Sequence, residues 1–217
     1  MSTIQLDERD GDTYDPPPLL IAVADSMFPL ESPCPVDTQG VISLDGAYYP
    51  QDHRCGWGFC VADARHTSMR DFCGPVLIDD ASISGRHEHF CRDASSLLFG
   101  ASVLSNNTAE LTAIVMASIW VWENGDPNLC YTLEYDSTYS HSVATRKWNP
   151  TSNLRLVLSC RHYVDRVSHR IDWRKVASHT GNLLNERADC LAKAGANGLV
   201  VFEPFTQAHY SIPMSQS

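Results

Sequence analysis

Short apolar runs separated by polar turns recur along this chain and predict strands. Residues 41–44 and 56–61 are rich in β-branched or aromatic side chains and flank a polar turn, so they predict the two strands of a hairpin. Residues 97–104 predict a third strand, and residues 131–135 and 171–177 predict a fourth and a fifth.

Three other segments have the periodicity of helices. Residues 107–122 begin with Asn-Thr-Ala-Glu, a capping-box pattern, and remain mostly apolar until an Asn-Gly-Asp-Pro turn. Residues 154–167 separate apolar from basic positions, and residues 185–196 place small apolar side chains on one face. Residues 63–95 mix Gly, Pro, Asp and His with short apolar pieces and predict an irregular insertion.

The order of these elements, β-β-β-α-β-α-β-α, predicts an α/β domain. A hairpin followed by helix-linked strands favours a five-stranded mixed sheet with helices on both faces. Ligands of such sheets gather at the carboxyl ends of the strands.

The composition of the first 38 residues differs from the rest of the 217-residue chain. They contain eight acids, one base and six prolines, which predicts a poorly ordered acidic tail or linker over residues 1–38. Residues 39–204 predict one compact domain, and residues 205–217 predict a C-terminal tail.

Charge is distributed unevenly along the chain. The net charge is −10, but residues 146–187 carry nine bases against three acids. This basic region is either a solvated helix face or a surface that contacts phosphates, because local Lys and Arg decide affinity for nucleic acid.

The apolar stretches are too short to span a bilayer, so no membrane association is expected. The acidic N-terminus differs from a signal peptide, which predicts an intracellular protein of the nucleus or cytoplasm, not a secreted one, with its cysteines as thiols. His87, His89 and Cys91 could hold a metal with Cys60 or Cys73, but their spacing matches no zinc pattern.

Four acids are expected to converge at one edge of the predicted sheet. Asp45 ends the first strand and Asp136 ends the fourth, while Glu110 and Asp189 lie in the first turns of the helices. Four crowded carboxylates repel one another unless divalent cations neutralise them. Oxygen ligands without Cys or His favour Mg²⁺ or Mn²⁺.

Each of these acids also has a purely structural interpretation. Asp45 and Asp136 each precede a small residue and suit tight turns. Glu110 suits the capping box, and Asp189 suits the positive end of a helix. Taken singly, the acids leave both interpretations open.

A series of sequence blocks lies between residues 40 and 198. They are LDGA (44–47) with GWG (56–58), NNTAEL (106–111), YDS (135–137), and HTG (179–181) with NERAD (185–189). In order and spacing, these blocks resemble the type-1 ribonuclease H family. The resemblance implies a ribonuclease H-like fold and a nuclease that cuts the RNA strand of RNA–DNA hybrids.

The resemblance also implies residue roles. Asp45, Glu110, Asp136 and Asp189 match the acids that bind two Mg²⁺ ions, with Mn²⁺ able to substitute, and His179 matches a histidine that assists proton transfer and product release. Cleavage would leave 5′-phosphate and 3′-hydroxyl ends. The implied substrate-binding residues are Gly46, Asn106, Asn107, Ser137, Arg146 and Lys147.

Some features depart from the family pattern. Ala47 replaces a small hydroxyl or thiol residue, residues 63–95 are long, and only Arg146-Lys147-Trp148 stands where some members carry a basic protrusion. The chain is similar to ribonuclease H domains of retroelement polyproteins, which implies a reverse transcriptase domain as a partner. A monomer is expected.

Two other functions compete with this interpretation. One is a catalytically silent ribonuclease H-like module that binds nucleic acid, and the other is a two-metal DNA nuclease of the same fold. The presence of all four acids favours an enzyme, and the His-Thr-Gly block with the helix after it favours the ribonuclease.

Overall fold

The computed structural model describes residues 38–63, 68–78, 99–178 and 180–202. None of the helices in these residues has the length and apolarity needed to cross a bilayer. The elements are β1 (Thr38–Tyr49), β2 (Arg54–Asp63), β3 (Met69–Pro75), α1 (Asn106–Glu123), β4 (Cys130–Tyr135), α2 (Thr138–Ala144), α3 (Leu154–Val167), β5 (Ile171–Lys175) and α4 (Leu183–Ala196), with a 3₁₀ turn at Ser168–Arg170.

The five strands form one mixed sheet in the order β3-β2-β1-β4-β5. β1, β2 and β3 are antiparallel neighbours, whereas β4 is parallel to both β1 and β5. The parallel pairing of β1 with β4 ends at Ser43 and Glu134, while β1 continues in its hairpin with β2. The predicted fold class is confirmed.

The larger core lies on one face of the sheet, under α1 and α3. Ile42 and Leu44 of β1 point into it because alternate residues of a strand face the same side. α1 is buried from Thr108 to Val121, since it lies between the sheet and α3. This position explains why α1 is apolar on every side.

α4 covers the opposite face and approaches the backbone of β2 closely. A Cβ added at Gly58 would lie 2.7 Å from the backbone carbon of Leu191, and one added at Gly56 would lie 2.6 Å from that of Gly195. Trp57, between these glycines, points into the larger core. The Gly-Trp-Gly block therefore combines a core residue with two positions that only glycine can fill.

The prediction for the third strand is wrong. Residues 99–104 form only an isolated bridge, from Ala101 to Ile78, and the third strand is β3, inside the predicted irregular insertion. β3 lies at the sheet edge and its first residues are exposed, so its sequence shows little apolar alternation. Phe72 anchors it by stacking on Phe59 with ring centroids 4.7 Å apart.

The sequence does not predict α2, because a helix this short spans too few turns to show periodicity.

Five of the described cysteines are free, but Cys130 is disulfide-bonded, so the expectation of thiols is wrong there. His87, His89, Cys91 and, except for Thr38, the two predicted tails lie outside the described residues, and the domain boundaries stay predictions.

Candidate active site

Three of the four candidate acids come together at the carboxyl end of the β1–β4 pair. One carboxylate oxygen from each of Asp45, Glu110 and Asp136 lies within 4.8 Å of the others. Asp45 lies within β1, just beyond its last pairing with β4, and Asp136 directly follows β4. Parallel neighbouring strands therefore place the two aspartates side by side, as the sequence predicts.

Glu110 reaches these aspartates because α1 begins directly against β1. A Cβ added at Gly46 would lie 2.6 Å from the backbone carbon of Ala109, so glycine allows this close approach. Ser105 caps α1 by accepting a hydrogen bond from the Thr108 amide at 3.1 Å. Glu110 is buried among the acids, and its predicted role in a capping box is wrong.

The start of α1 is held by a residue that sequence analysis missed. The side chain of Asn153, at the start of α3, accepts hydrogen bonds from the amides of Ser102 and Val103 at 2.8 and 2.9 Å. It also donates to the Thr108 hydroxyl at 3.0 Å. Asn153 has a φ of 52°, a left-handed conformation that asparagine tolerates, but its sequence context carries no signal of this role.

The acidic cluster holds protons at pH values where free carboxyl groups are ionised. Burial, followed by the charge of Asp136, raises the pKa of Asp45 from 3.8 to about 6. Burial, followed by the charges of Asp45 and Asp136, raises the pKa of Glu110 well above its usual value. Both carboxyl groups therefore bind a proton more tightly than free carboxyl groups do, and a hydrogen bond joins them.

The same cluster has the donor set that a hard divalent cation needs. Oε2 of Glu110 is buried and has no hydrogen-bond partner in the described part of the chain. Oδ1 of Asp45 accepts from the Gly46 amide at 2.7 Å, which fixes that carboxylate. A cation among these oxygens would favour their ionised forms and so lower the pKa values that burial and mutual repulsion raise.

Asp189 lies apart from the three acids. It is in the second turn of α4, not the first as predicted, because that helix begins at Leu183. Its carboxylate forms an ion pair with Lys193 at 2.6 Å, although its charge still contributes to the raised pKa of Asp45. His179 lies outside the described residues.

The predicted substrate-binding residues take up several different positions. Asn106 and Asn107 are exposed in the first turn of α1. Ser137 caps α2 by accepting from the Ser140 amide at 3.2 Å. The guanidinium of Arg146 is engaged by Asp165 through two contacts of 2.6 Å, and Lys147 is exposed.

A model of the RNase H family matches residues 37–197. The chain belongs to the RNase H family. Ribonuclease H of Anaplasma marginale (strain St. Maries) is 36% identical over 105 residues, which cover 43% of this chain and 66% of that relative. Ribonuclease H of Ehrlichia ruminantium (strain Gardel) is 36% identical over 103 residues, covering 42% and 66%. The chain thus spans just under two thirds of these RNase H relatives.

Solved structures of RNase H1 proteins share the fold. RNase H1 from the halophilic archaeon Halobacterium salinarum NRC-1 superimposes with a TM-score of 0.52 and 17% identity, covering 73% of this chain and 97% of that one. LC11-RNase H1, isolated from compost, gives a TM-score of 0.52 and 14% identity, covering 74% and 96%. Together with the family match, these similarities confirm the ribonuclease H-like fold expected from the sequence.

The metal-free protein should lose stability as pH rises between about 4 and 6. Because the folded state raises the pKa of Asp45 from 3.8 to about 6, it binds that proton more tightly than the unfolded chain does. The stabilisation is complete below the unfolded pKa and is lost as pH passes the folded one, a change of about 3 kcal/mol. Urea unfolding in EDTA should show this slope in the wild type and a smaller slope in Asp45→Asn. Equal slopes would contradict the shift.

Proposed function

We propose that this chain is an endoribonuclease that hydrolyses the RNA strand of RNA–DNA hybrids. The observation that carries the proposal is the convergence of Asp45, Glu110 and Asp136 in a member of the RNase H family. These acids include a buried oxygen that has no hydrogen-bond partner among the described residues. The curated relatives named ribonuclease H support this activity.

We propose Mg²⁺ as the cation, with two ions per site and Mn²⁺ able to replace it. Asp45, Glu110 and Asp136 would hold the ions with Asp189, whose ion pair with Lys193 is exposed enough to exchange. When bound, the ions activate water and stabilise the leaving oxygen. Because the pKa values of Asp45 and Glu110 are raised, cation binding should be accompanied by proton release at pH values where these groups are partly protonated.

The residues around the acids supply candidate contacts to the hybrid. The side-chain amides of Asn106 and Asn107 can both donate and accept, which suits the 2′-hydroxyls that distinguish RNA from DNA. We propose that these two residues read the RNA strand beside Gly46, and that Ser137, Arg146 and Lys147 contact it further along. For Arg146 this requires exchange of its ion pair with Asp165 for a phosphate.

His179 is proposed to assist proton transfer and product release, leaving 5′-phosphate and 3′-hydroxyl ends. An intracellular location in the nucleus or cytoplasm and a monomeric state are proposed on the sequence alone. A reverse transcriptase partner and a retroelement origin stay predictions.

A cleavage assay on three substrates tests this proposal. A labelled RNA strand is presented as an RNA–DNA hybrid, as double-stranded RNA and as a single strand, each with Mg²⁺, Mn²⁺ or EDTA. We expect cutting of the hybrid alone, only with a divalent ion, and products with 5′-phosphate ends. Hybrid binding without cleavage would indicate a silent module. Cleavage of a labelled DNA duplex, assayed separately under the same conditions, would indicate a DNA nuclease.

A further inference from the structure

The connection between β5 and α4 is hydrogen-bonded at three points to the end of β4, beside the acidic site. Each attachment is a hydrogen bond donated from the connection to β4 or to the residue after it. The three bonds run from the Val176 amide to the Tyr135 carbonyl at 2.9 Å, from the Ser178 hydroxyl to Oδ2 of Asp136 at 2.9 Å, and from Nδ2 of Asn182 to Oε2 of Glu134 at 3.5 Å.

Glu134 is the buried acceptor among these hydrogen bonds. Its side chain is only 5% exposed, and Oε1 accepts two hydrogen bonds from Arg174, its partner in β5, at 2.8 and 3.1 Å. The other oxygen accepts from Asn182, which caps α4 through the amides of Leu184 and Asn185. A buried carboxylate needs such partners. Glu134 thereby fixes the end of β5 and the start of α4 together.

Ser178 is the residue of the connection between β5 and α4 that contacts the acidic site. Its hydroxyl donates to the carboxylate of Asp136, and a bond to an ionised acceptor is stronger than one between neutral groups. Groups that hydrogen-bond to a metal-binding carboxylate set its orientation, and their loss weakens metal binding. Ser178 stands between the two residues that Glu134 holds, Arg174 on one side and Asn182 on the other.

We propose that Ser178 and Glu134 are positioning residues of the acidic site. Ser178 orients the Asp136 carboxylate directly, and Glu134 orients the connection that carries Ser178. This inference rests on the proposed function, because it assigns Asp136 to the cation site. Neither residue is proposed to contact the substrate.

The first test replaces Ser178 in the full chain. Mn²⁺ binding is measured by calorimetry without hybrid, and the Mg²⁺ concentration for half-maximal cleavage is measured separately. Ser178→Ala should lower the Mn²⁺ affinity and raise the required Mg²⁺ concentration, each by roughly 10-fold, with little change in KM for the hybrid. Ser178→Thr should restore both values because it keeps the hydroxyl. Ser168→Ala, which removes a hydroxyl bonded to the Asp165 carbonyl at the end of α3, should match the wild type.

The second test asks whether Glu134 acts through Ser178. Glu134→Ala should weaken Mn²⁺ binding in the same direction as Ser178→Ala, and Glu134→Gln, which keeps one acceptor oxygen, should weaken it less. In the double variant Ser178→Ala/Glu134→Ala, the fold-loss of Mn²⁺ affinity should be smaller than the product of the two single fold-losses. Independent effects would overturn the role of Glu134. The exposed Glu186→Gln on α4 is the control for loss of charge.

The outcomes separate this inference from the proposed function. If the wild type neither binds Mn²⁺ nor cleaves hybrid, the proposed function fails and the inference fails with it. If the wild type does both and Ser178→Ala equals it in both measurements, only the positioning role is overturned. A Ser178→Ala defect that Ser178→Thr does not restore would likewise overturn it, since the hydroxyl would not be responsible.

Discussion

Asp45→Asn is expected to abolish hybrid cleavage while leaving the protein folded. The substitution removes a proposed cation ligand from the centre of the acidic cluster, where Asp45 contacts Glu110 and lies beside Asp136. A bound cation contributes several kcal/mol to phosphodiester cleavage, which corresponds to about 10³-fold or more in rate. Asp136→Asn should have an effect of the same order.

The fold should survive because the lost charge was an unfavourable one. In the metal-free protein, burial and neighbouring charge raise the pKa of Asp45 to about 6, so its ionised form destabilises the native state at neutral pH. We therefore expect the free energy of unfolding of Asp45→Asn at pH 8 in EDTA to equal or exceed that of the wild type.

Single-turnover cleavage with Mg²⁺ and urea unfolding measure the two effects of Asp45→Asn separately. The matched control is Asp172→Asn, since Asp172 is an exposed residue of β5 outside the acidic cluster. This control should cleave at the wild-type rate. Activity of Asp45→Asn and Asp136→Asn within 10-fold of the control, a factor worth 1.36 kcal/mol, would remove both residues from the cation site.

Gly58→Ala is expected to lower the free energy of unfolding by about 3 kcal/mol, at the upper end of the usual range for overpacking. Its added Cβ would lie 2.7 Å from the backbone carbon of Leu191 and close to the amide of Ala192. Backbone atoms cannot rotate away as a flexible side chain can, so α4 must move as a unit. Because α4 carries Asp189, the remaining folded protein should also cleave more slowly.

Gly181→Ala provides the contrast for Gly58→Ala. A Cβ at Gly181 would meet no atom within 4 Å, but its φ of +83° is strained for alanine and should cost about 1 kcal/mol. Urea unfolding of both variants distinguishes a steric obstacle from a backbone preference. A Gly58→Ala variant that is no less stable than Gly181→Ala would show that α4 shifts without loss of contacts.

Local sequence was sufficient to predict a site residue where an acidic side chain stands next to a recognisable strand end or helix start. Asp45 and Asp136 could be assigned to one site because the sequence predicts each at the end of a strand, and helix-linked strands are usually parallel neighbours. In the structure β1 continues past Asp45, but its pairing with β4 ends at Ser43. Glu110 could be added because its polar neighbours mark the start of a helix. β3 was missed because an exposed edge strand needs no apolar alternation, so its residues resemble an irregular segment.

Residues whose partners lie far away along the chain could not be predicted from the sequence. Asn153 and Ser178 are 45 and 42 residues away from Thr108 and Asp136, the side chains to which they donate. Single polar residues of this kind occur throughout any chain, and only folding selects the ones that meet. The ion pair between Asp189 and Lys193 has helical spacing, but its separation from the other acids depends on how α4 lies over the sheet.

The sequence by itself determined the family, the sheet with helices on both faces, and three of the four acids predicted to cluster, because these follow from residue types at short spacings and from strand order. Only the tertiary structure decided how strongly those acids interact and what orients them. Burial and the approach of Asp136 raise the pKa of Asp45, and a hydroxyl from another segment holds Asp136. Distances and burial arise when separate segments pack together, and no local pattern encodes them.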